Sequence, residues 1–326
     1  MNKEFKRPKI LISKCIEFDS CRYNSQMISS DFVKKIKKFV DFYIICPEVE
    51  ISLGVPRDPI RIVEKNSEKR LMQPKTKKDL TKDMKEFIEL YLKEKEIDGA
   101  ILKSKSPSCG IREVKIYPNI EKSAPLRRGK GFFGEAVLNR YKLYPIENED
   151  RLRNRIIKEN FLKRIFTIAD FRKIKEKKSL NSLIDFHSKN KFLLMSYSQK
   201  YLNKLGNILA NKEKMPIEDM INIYEENLLN ALSVSPICAP NTNVLMHSFG
   251  FISKKLKKDE KELFLKSLDN YKKGHVGLSV PISIMKSWVV RFDESYLKMQ
   301  SFFAPYPDDL VEVENINFCD ARDFWK

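Results

Sequence analysis

Apolar residues fall into two rhythms along the chain. Over roughly the first 150 positions, short continuous apolar runs alternate with stretches of helical period. Lys9-Ile10-Leu11-Ile12-Ser13 reads as a short buried strand. Asp31 to Val40, with Phe32, Val33, Ile36, Phe39 and Val40 spaced along one face, predicts an amphipathic helix, and Asp41 to Ile45 the next strand. Asp79 to Lys95 repeats the helical spacing through Leu80, Met84, Phe87, Ile88, Tyr91 and Leu92, and Gly99 to Leu102 follows as another strand. Strands alternating with helices specify an α/β, Rossmann-like domain with a mostly parallel sheet. From Glu147 the rhythm changes. Asn148-Glu149-Asp150-Arg151 reads as a polar hinge, and the remainder is almost wholly helical in period: Leu152 to Phe171, Lys191 to Leu209, and Ile217 to Leu232 behind a first-turn proline at Pro216. Two domains are expected, α/β over 1–150 and all-α over 151–326.

What the strands run into matters most for chemistry. The first is followed by Lys14-Cys15, the second by Cys46-Pro47-Glu48, the third by Lys103-Ser104-Lys105-Ser106-Pro107-Ser108-Cys109-Gly110. Open parallel sheets gather ligands at the carboxyl ends of their strands. Three cysteines tens of residues apart are thus expected at one edge, a spacing unlike that of a zinc ribbon or a ferredoxin. Unrelated buried thiols are the alternative. The charged start, Met1 to Lys9, and the lack of any apolar run of about 18–20 residues predict a cytoplasmic protein with no membrane partner. Six cysteines in a reducing compartment point to metal binding or catalysis rather than to disulfides. Three thiolates can hold a [4Fe-4S] cluster through three irons and leave the fourth as a Lewis acid for a soft sulfur donor. Cys21 is a weaker candidate for a fourth ligand, since Asp19 to Asn24 reads as a substrate loop. A net charge of +18, shared by both halves, suits a polyanion such as RNA and equally suits solvated lysine-rich helix faces.

Ser13-Lys14-Cys15 with Cys21-Arg22-Tyr23-Asn24, Cys46-Pro47-Glu48-Val49 with Gly54-Val55-Pro56-Arg57, and the loop Lys103 to Gly110 closely resemble the thiouracil desulfidase (TudS) family. The resemblance implies a [4Fe-4S] cluster on Cys15, Cys46 and Cys109 and non-redox removal of sulfur from a thiolated pyrimidine. Where relatives often have a glycine after the Arg-Tyr pair, this chain has Ser25. Phe186-His187 with Lys191 and Met195, Asn243 to His247, Tyr296-Leu297 with Gln300, and Pro305-Tyr306-Pro307 resemble the helical domain named after YbgA. Fusions of the two modules are similar to enzymes that remove sulfur from 4-thiouridine in tRNA.

On that resemblance Glu48 is the candidate general base for a water attacking the ring carbon, with a loop-capping carboxylate as the alternative role. Ser104 is the candidate hydrogen-bond donor to the pyrimidine or the leaving sulfur, with an ordinary turn hydroxyl as the alternative. Arg22, Tyr23, Arg57, Lys103, Lys105, Ser106 and Ser108 surround the expected site and are the candidate substrate or RNA contacts there. Arg127-Arg128-Gly129-Lys130-Gly131 precedes a helical run at Phe132, an arrangement that suits a phosphate. His187 and His247 read as hydrogen-bonded core residues and His275 as part of a turn, while Cys238 and Cys319 read as structural. Three functions are open at this point: a tRNA 4-thiouridine desulfidase, a desulfidase of free thiouracil, and a non-catalytic metal-stabilised RNA-binding protein.

Overall fold

The computed structural model describes residues 4–210, 214–235 and 237–311, so Cys319 lies outside the described residues. The chain opens with β1 (Lys9–Ser13), α1 (Asp31–Ile36), β2 (Asp41–Ile45) and the single turn α2 (Pro47–Glu50). Next come β3 (Arg61–Lys65), β4 (Glu68–Gln73), β5 (Lys78–Asp79) and α3 (Thr81–Leu92), then β6 (Gly99–Leu102), β7 (Val114–Tyr117), β8 (Arg127–Gly129), α4 (Phe132–Arg140) and β9 (Ile146–Asn148). β1, β2, β6 and β9 form a wholly parallel sheet in the order β2-β1-β6-β9. Its inner strands β1 and β6 bury almost every side chain, as Ile10, Leu11 and Ile12 do, because helices cover both faces there, whereas the edge strand β2 buries only Ile45.

A second sheet, ordered β5-β4-β3-β7-β8, was not expected. It is antiparallel except between β3 and β7. Its central hairpin turns on Asn66 and Ser67, both with positive φ (51° and 65°), the geometry that a two-residue hairpin requires. Serine is an uncommon residue there, which hides the turn from a reading of the sequence. Ile62, Leu71 and Ile116 face inward onto Leu80 and Met84 of the α3 segment.

The all-helical half follows, with eight α-helices among the described residues: α5 (Arg155–Lys177), α6 (Leu180–Tyr197), α7 (Gln199–Ala210), α8 (Ile217–Ser233), α9 (Cys238–Ile252), α10 (Lys258–Lys272), α11 (Ser279–Arg291) and α12 (Ser295–Met299). The run expected over 191–209 breaks at Ser198, whose N–H ends α6 on Leu194 and whose hydroxyl accepts from Tyr201 N at the start of α7. α5 joins the two halves. Phe161, Leu162, Ile165 and Phe166 lie on the sheet beside Ile10, Ile12 and Ile101, while Phe171 and Ile174 enter the helical core. Arg172 of α5 reaches the carboxylate of Asp98 at 3.1 Å, and Asp98 also accepts from Lys9 N at 2.7 Å.

The expected polar hinge is not one. Asn148 belongs to β9, its side chain donates to Leu102 O at 2.9 Å, and Glu149 is buried. These polar residues are internal because each has a partner there. His187 sits against Tyr224 (2.9 Å) as expected of a core histidine, and His275 lies in the bend after α10. His247 is exposed, since Val244, Leu245 and Ser248 take the inner face of α9. Cys238 is half-buried at the start of α9.

Candidate active site

Three strand ends converge. Cys15 follows β1, Cys46 caps α2 after β2, and Cys109 closes the loop after β6. Cys15, Cys21, Cys46, Glu48, Ser104 and Cys109 line one cavity of about 440 Å³, within the size range of small-ligand sites. All four of those cysteines are buried. Cys21 lies within hydrogen-bonding range of Cys15 and Cys46, so four thiols share the site. Contact with Cys15 pushes the Cys21 thiol up to about 11. Contact with Cys21, followed by burial, raises Cys46, and burial raises Cys109. Protonated thiols of this kind become thiolates when a cationic centre binds and displaces their protons.

The donor set therefore fits a soft metal centre. Among the described residues, no three His, Cys, Asp or Glu side chains are gathered closely enough for a single metal ion. A tetrahedral mononuclear site, with metal–sulfur bonds of ~2.3 Å, would need thiolates about 3.8 Å apart. Cys15, Cys46 and Cys109 line the same cavity, and three soft thiol donors from three strand ends fit an iron-sulfur core.

The loop carrying Cys109 is held by α4. Gly131 N donates to Gly110 O (2.7 Å), Phe132 N to Pro107 O (3.1 Å) and Gly134 N to Ser108 O (3.0 Å). A Cβ on Gly131 would sit 2.5 Å from Ser108 O, and one on Gly134 2.6 Å from Cys109 O, so this approach needs both glycines. The helix N-terminus expected to meet a phosphate instead spends its donors on these loop carbonyls. Arg127 and Arg128 lie in β8, paired with Glu64 (2.5 Å) and Glu113 (2.7 Å), and Lys130 is exposed just after that strand. None of the three lines the thiol cavity. Within the loop, Ser106 Oγ accepts from Ser108 N (3.2 Å) and Cys109 N (3.1 Å), which makes it a turn hydroxyl.

Glu48 is more than a loop cap. Its Oε2 takes both Arg57 Nε (2.8 Å) and Nη2 (2.7 Å), and its Oε1 takes Ser108 Oγ (2.8 Å). Arg57 Nη1 also donates to Cys21 O and Gly54 O, both at 2.9 Å. Only 4% of the Arg57 side chain is exposed, and Ser108 is fully buried. These two are thus braces for the site rather than surface contacts to RNA. Arg22 lies over the half-exposed ring of Tyr23 at the cavity wall, and Ser25 nearby has φ 54°, the conformation a glycine would favour.

Glu149 was missed by sequence reasoning, which placed it in a hinge. It accepts from Lys103 Nζ (2.6 Å), Ser104 N (2.6 Å) and Ser104 Oγ (2.9 Å). The Ser104 proton therefore points at Glu149, and the hydroxyl must rotate before it can donate to a pyrimidine. Lys103 is a partner of this carboxylate, whereas Lys105 has no ion pair among the described residues.

A parallel α/β sheet with buried thiols along its carboxyl edge defines an α/β domain with a thiol-lined ligand site. Residues 10–149 match the family model for 2-thiouracil desulfurase, and residues 191–307 match that for "Protein of unknown function (DUF1722)". The chain belongs to the 2-thiouracil desulfurase family through its α/β half, fused to a YbgA-type helical domain. It is 32% identical over 111 residues to the uncharacterized protein YbbK of Bacillus subtilis (strain 168), covering 31% of this chain and 72% of that protein. It is 26% identical over 151 residues to the uncharacterized protein YbgA of Escherichia coli (strain K12), covering 46% of this chain and 89% of that protein. A solved structure of a [4Fe-4S]-dependent thiouracil desulfidase, TudS, is 27% identical, with 45% of this chain and 94% of that one covered at a TM-score of 0.37. Among the described residues, no helix is long and apolar enough to cross a membrane.

Proposed function

We propose that the chain is a [4Fe-4S]-dependent, non-redox desulfidase that converts 4-thiouridine in tRNA to uridine, releasing sulfide. One observation carries this reading: Cys15, Cys46 and Cys109, delivered by three strand ends, line a single cavity together with Glu48 and Ser104. A cluster held by those three cysteines would supply an iron free of protein ligands as a Lewis acid toward the thiocarbonyl sulfur. In the overall reaction water supplies the new carbonyl oxygen, and the sulfur leaves as sulfide with the protons of that water, so no oxidant or reductant is needed.

The chain's own residues handle water and protons. Glu48 Oε2 is occupied by Arg57, but Oε1 accepts one hydrogen bond and has room for a second, so it is the atom that can hold and deprotonate a water in the cavity. Arg57 fixes that carboxylate and, through Cys21 O, the loop carrying Tyr23. Ser104 passes its proton between the leaving sulfur and Glu149, with Lys103 holding the carboxylate in place. Tyr23 and Arg22 at the cavity wall suit stacking on an unpaired base. The strongly basic composition favours a substrate carried on a polyanion over a free base.

The test is anaerobic reconstitution, followed by incubation with thiolated tRNA and, separately, with free 2-thiouracil. Loss of thiocarbonyl absorption and release of sulfide are the readouts. Turnover of tRNA is the expected result. Turnover of the free base alone would make this a salvage enzyme, and turnover of neither would remove the desulfidase assignment.

A further inference from the structure

The second sheet presents a row of cations beside the thiol cavity. Lys115 in β7 is paired in register with Arg128 of β8, and Arg61 of β3 lies on its other side, one step before the Ile62–Ile116 pair. Ile62 and Ile116 are fully buried on the inner face, so the alternate positions Arg61, Lys115 and Tyr117 share the outer one. Adjacent strands are about 4.8 Å apart, and like charges placed side by side across strands repel. Among the described residues, Glu113 is the carboxylate lining this face. Arg128 pairs with Glu113 at 2.7 Å, and Arg61 lies 4.5 Å over the Tyr117 ring. Lys115 has no ion pair among the described residues.

These residues line a trough of about 560 Å³. Pro59, Ile60, Lys105 and Pro107 line both this trough and the thiol cavity, so the two are continuous. Lys105 stands at the junction with φ 58°. Three cations across neighbouring strands, an aromatic ring, and an opening into a base-sized cavity match one chemistry, an RNA strand with one base inserted and its backbone running over the sheet.

We infer that the outer face of the second sheet is the RNA-binding trough of this enzyme, in which Arg61, Lys115 and Arg128 bind backbone phosphates next to the base held among the cysteines. This rests on the desulfidase reading above but is tested without turnover. Affinity for an unmodified tRNA transcript would be measured across a salt series for the wild type and for the triple variant Arg61→Gln, Lys115→Gln, Arg128→Gln. The expected result is at least tenfold weaker binding, with a salt slope shallower by about 2, from roughly 0.7 per lost phosphate contact. The charge-keeping triple variant Arg61→Lys, Lys115→Arg, Arg128→Lys should bind within about threefold of wild type, a control for folding. So should Lys85→Gln, an exposed cation of α3 across the sheet from the trough. Unchanged affinity and slope in the neutral triple variant would overturn the inference, as would an equal loss in Lys85→Gln. If the wild type turns over neither thiolated substrate while the neutral triple variant alone loses RNA affinity, the desulfidase reading fails and the trough stands.

Discussion

Replacing Glu149 by glutamine keeps the shape of the side chain and removes its charge. The carboxylate accepts three hydrogen bonds, from Lys103 Nζ and Ser104 N at 2.6 Å and from Ser104 Oγ at 2.9 Å. Its side chain is 7% exposed, against 20% for Lys103. Hydrogen bonds to a charged group contribute about 1.5–3 kcal/mol each, and the amide oxygen of glutamine can retain one or two of the three in neutral form. Lys103 can turn its ammonium partly toward water, which limits the penalty of losing a buried partner. The expected loss is therefore about 2–3 kcal/mol, seen as a drop of about 5–10 °C in the melting of the α/β half. Activity should fall further than folding does. With its anchor gone, the Ser104 hydroxyl leaves its fixed rotamer, so kcat falls about 10–100-fold while KM changes little. A double-mutant cycle with Ser104→Ala makes this exacting, because residues acting as one unit are non-additive: the double variant should be no slower than the worse single one. Multiplying rate losses, or wild-type kcat in Glu149→Gln, would refute the Ser104–Glu149 relay.

Arg57→Lys cannot reproduce the two bonds to Glu48 Oε2 together with those to Cys21 O and Gly54 O, and should lower kcat/KM at least tenfold in steady-state assays while the fold is retained by circular dichroism. Asp98→Ala leaves the Arg172 guanidinium, 9% exposed, without its carboxylate where α5 crosses the sheet, and should cost about 3–5 kcal/mol in denaturant unfolding. Burial and then Lys191 lower His187 to about 4 from its ordinary 6.5, so the folded state resists protonation. That contribution, up to about 3 kcal/mol, is complete above pH 6.5 and is lost as the pH falls toward 4; the melting temperature of His187→Gln should fall less steeply over that window than that of wild type. After anaerobic reconstitution, Cys15→Ala, Cys46→Ala and Cys109→Ala should each lose iron and acid-labile sulfide, whereas Cys21→Ala should retain them. Loss of iron in Cys21→Ala would reassign the ligand set.

The parallel sheet was legible because each of its first three strands is a continuous apolar run followed by a cysteine-bearing loop, so strand identity and strand end were marked by the same residues. β9 carries only Ile146 as an apolar signal, between Pro145 and Glu147, and its polar residues Asn148 and Glu149 resemble a linker. They are internal because their partners, Leu102 O and the Lys103-Ser104 loop, arrive from β6, which pairs with β9 in parallel. A carboxylate whose partners lie some 45 positions away leaves no local periodicity to read. The same limit hid the role of Arg57. As a residue type it promised a surface cation, but the loop places its guanidinium between Glu48 and the Cys21 backbone. Arg128 was legible as a phosphate candidate beside Arg127 and Lys130, but the row that it makes with Arg61 and Lys115 exists only once β3, β7 and β8 lie side by side. The metal-ligand candidates were thus legible from strand ends, whereas the groups that orient them, and the charges that would hold a polymer beside them, come from pairings between strands. Variants of those pairings, rather than further cysteine variants, are what can separate an enzyme acting on a nucleic acid from one acting on a free base, because Arg61, Lys115 and Arg128 line the trough and not the thiol cavity in which a small pyrimidine would sit.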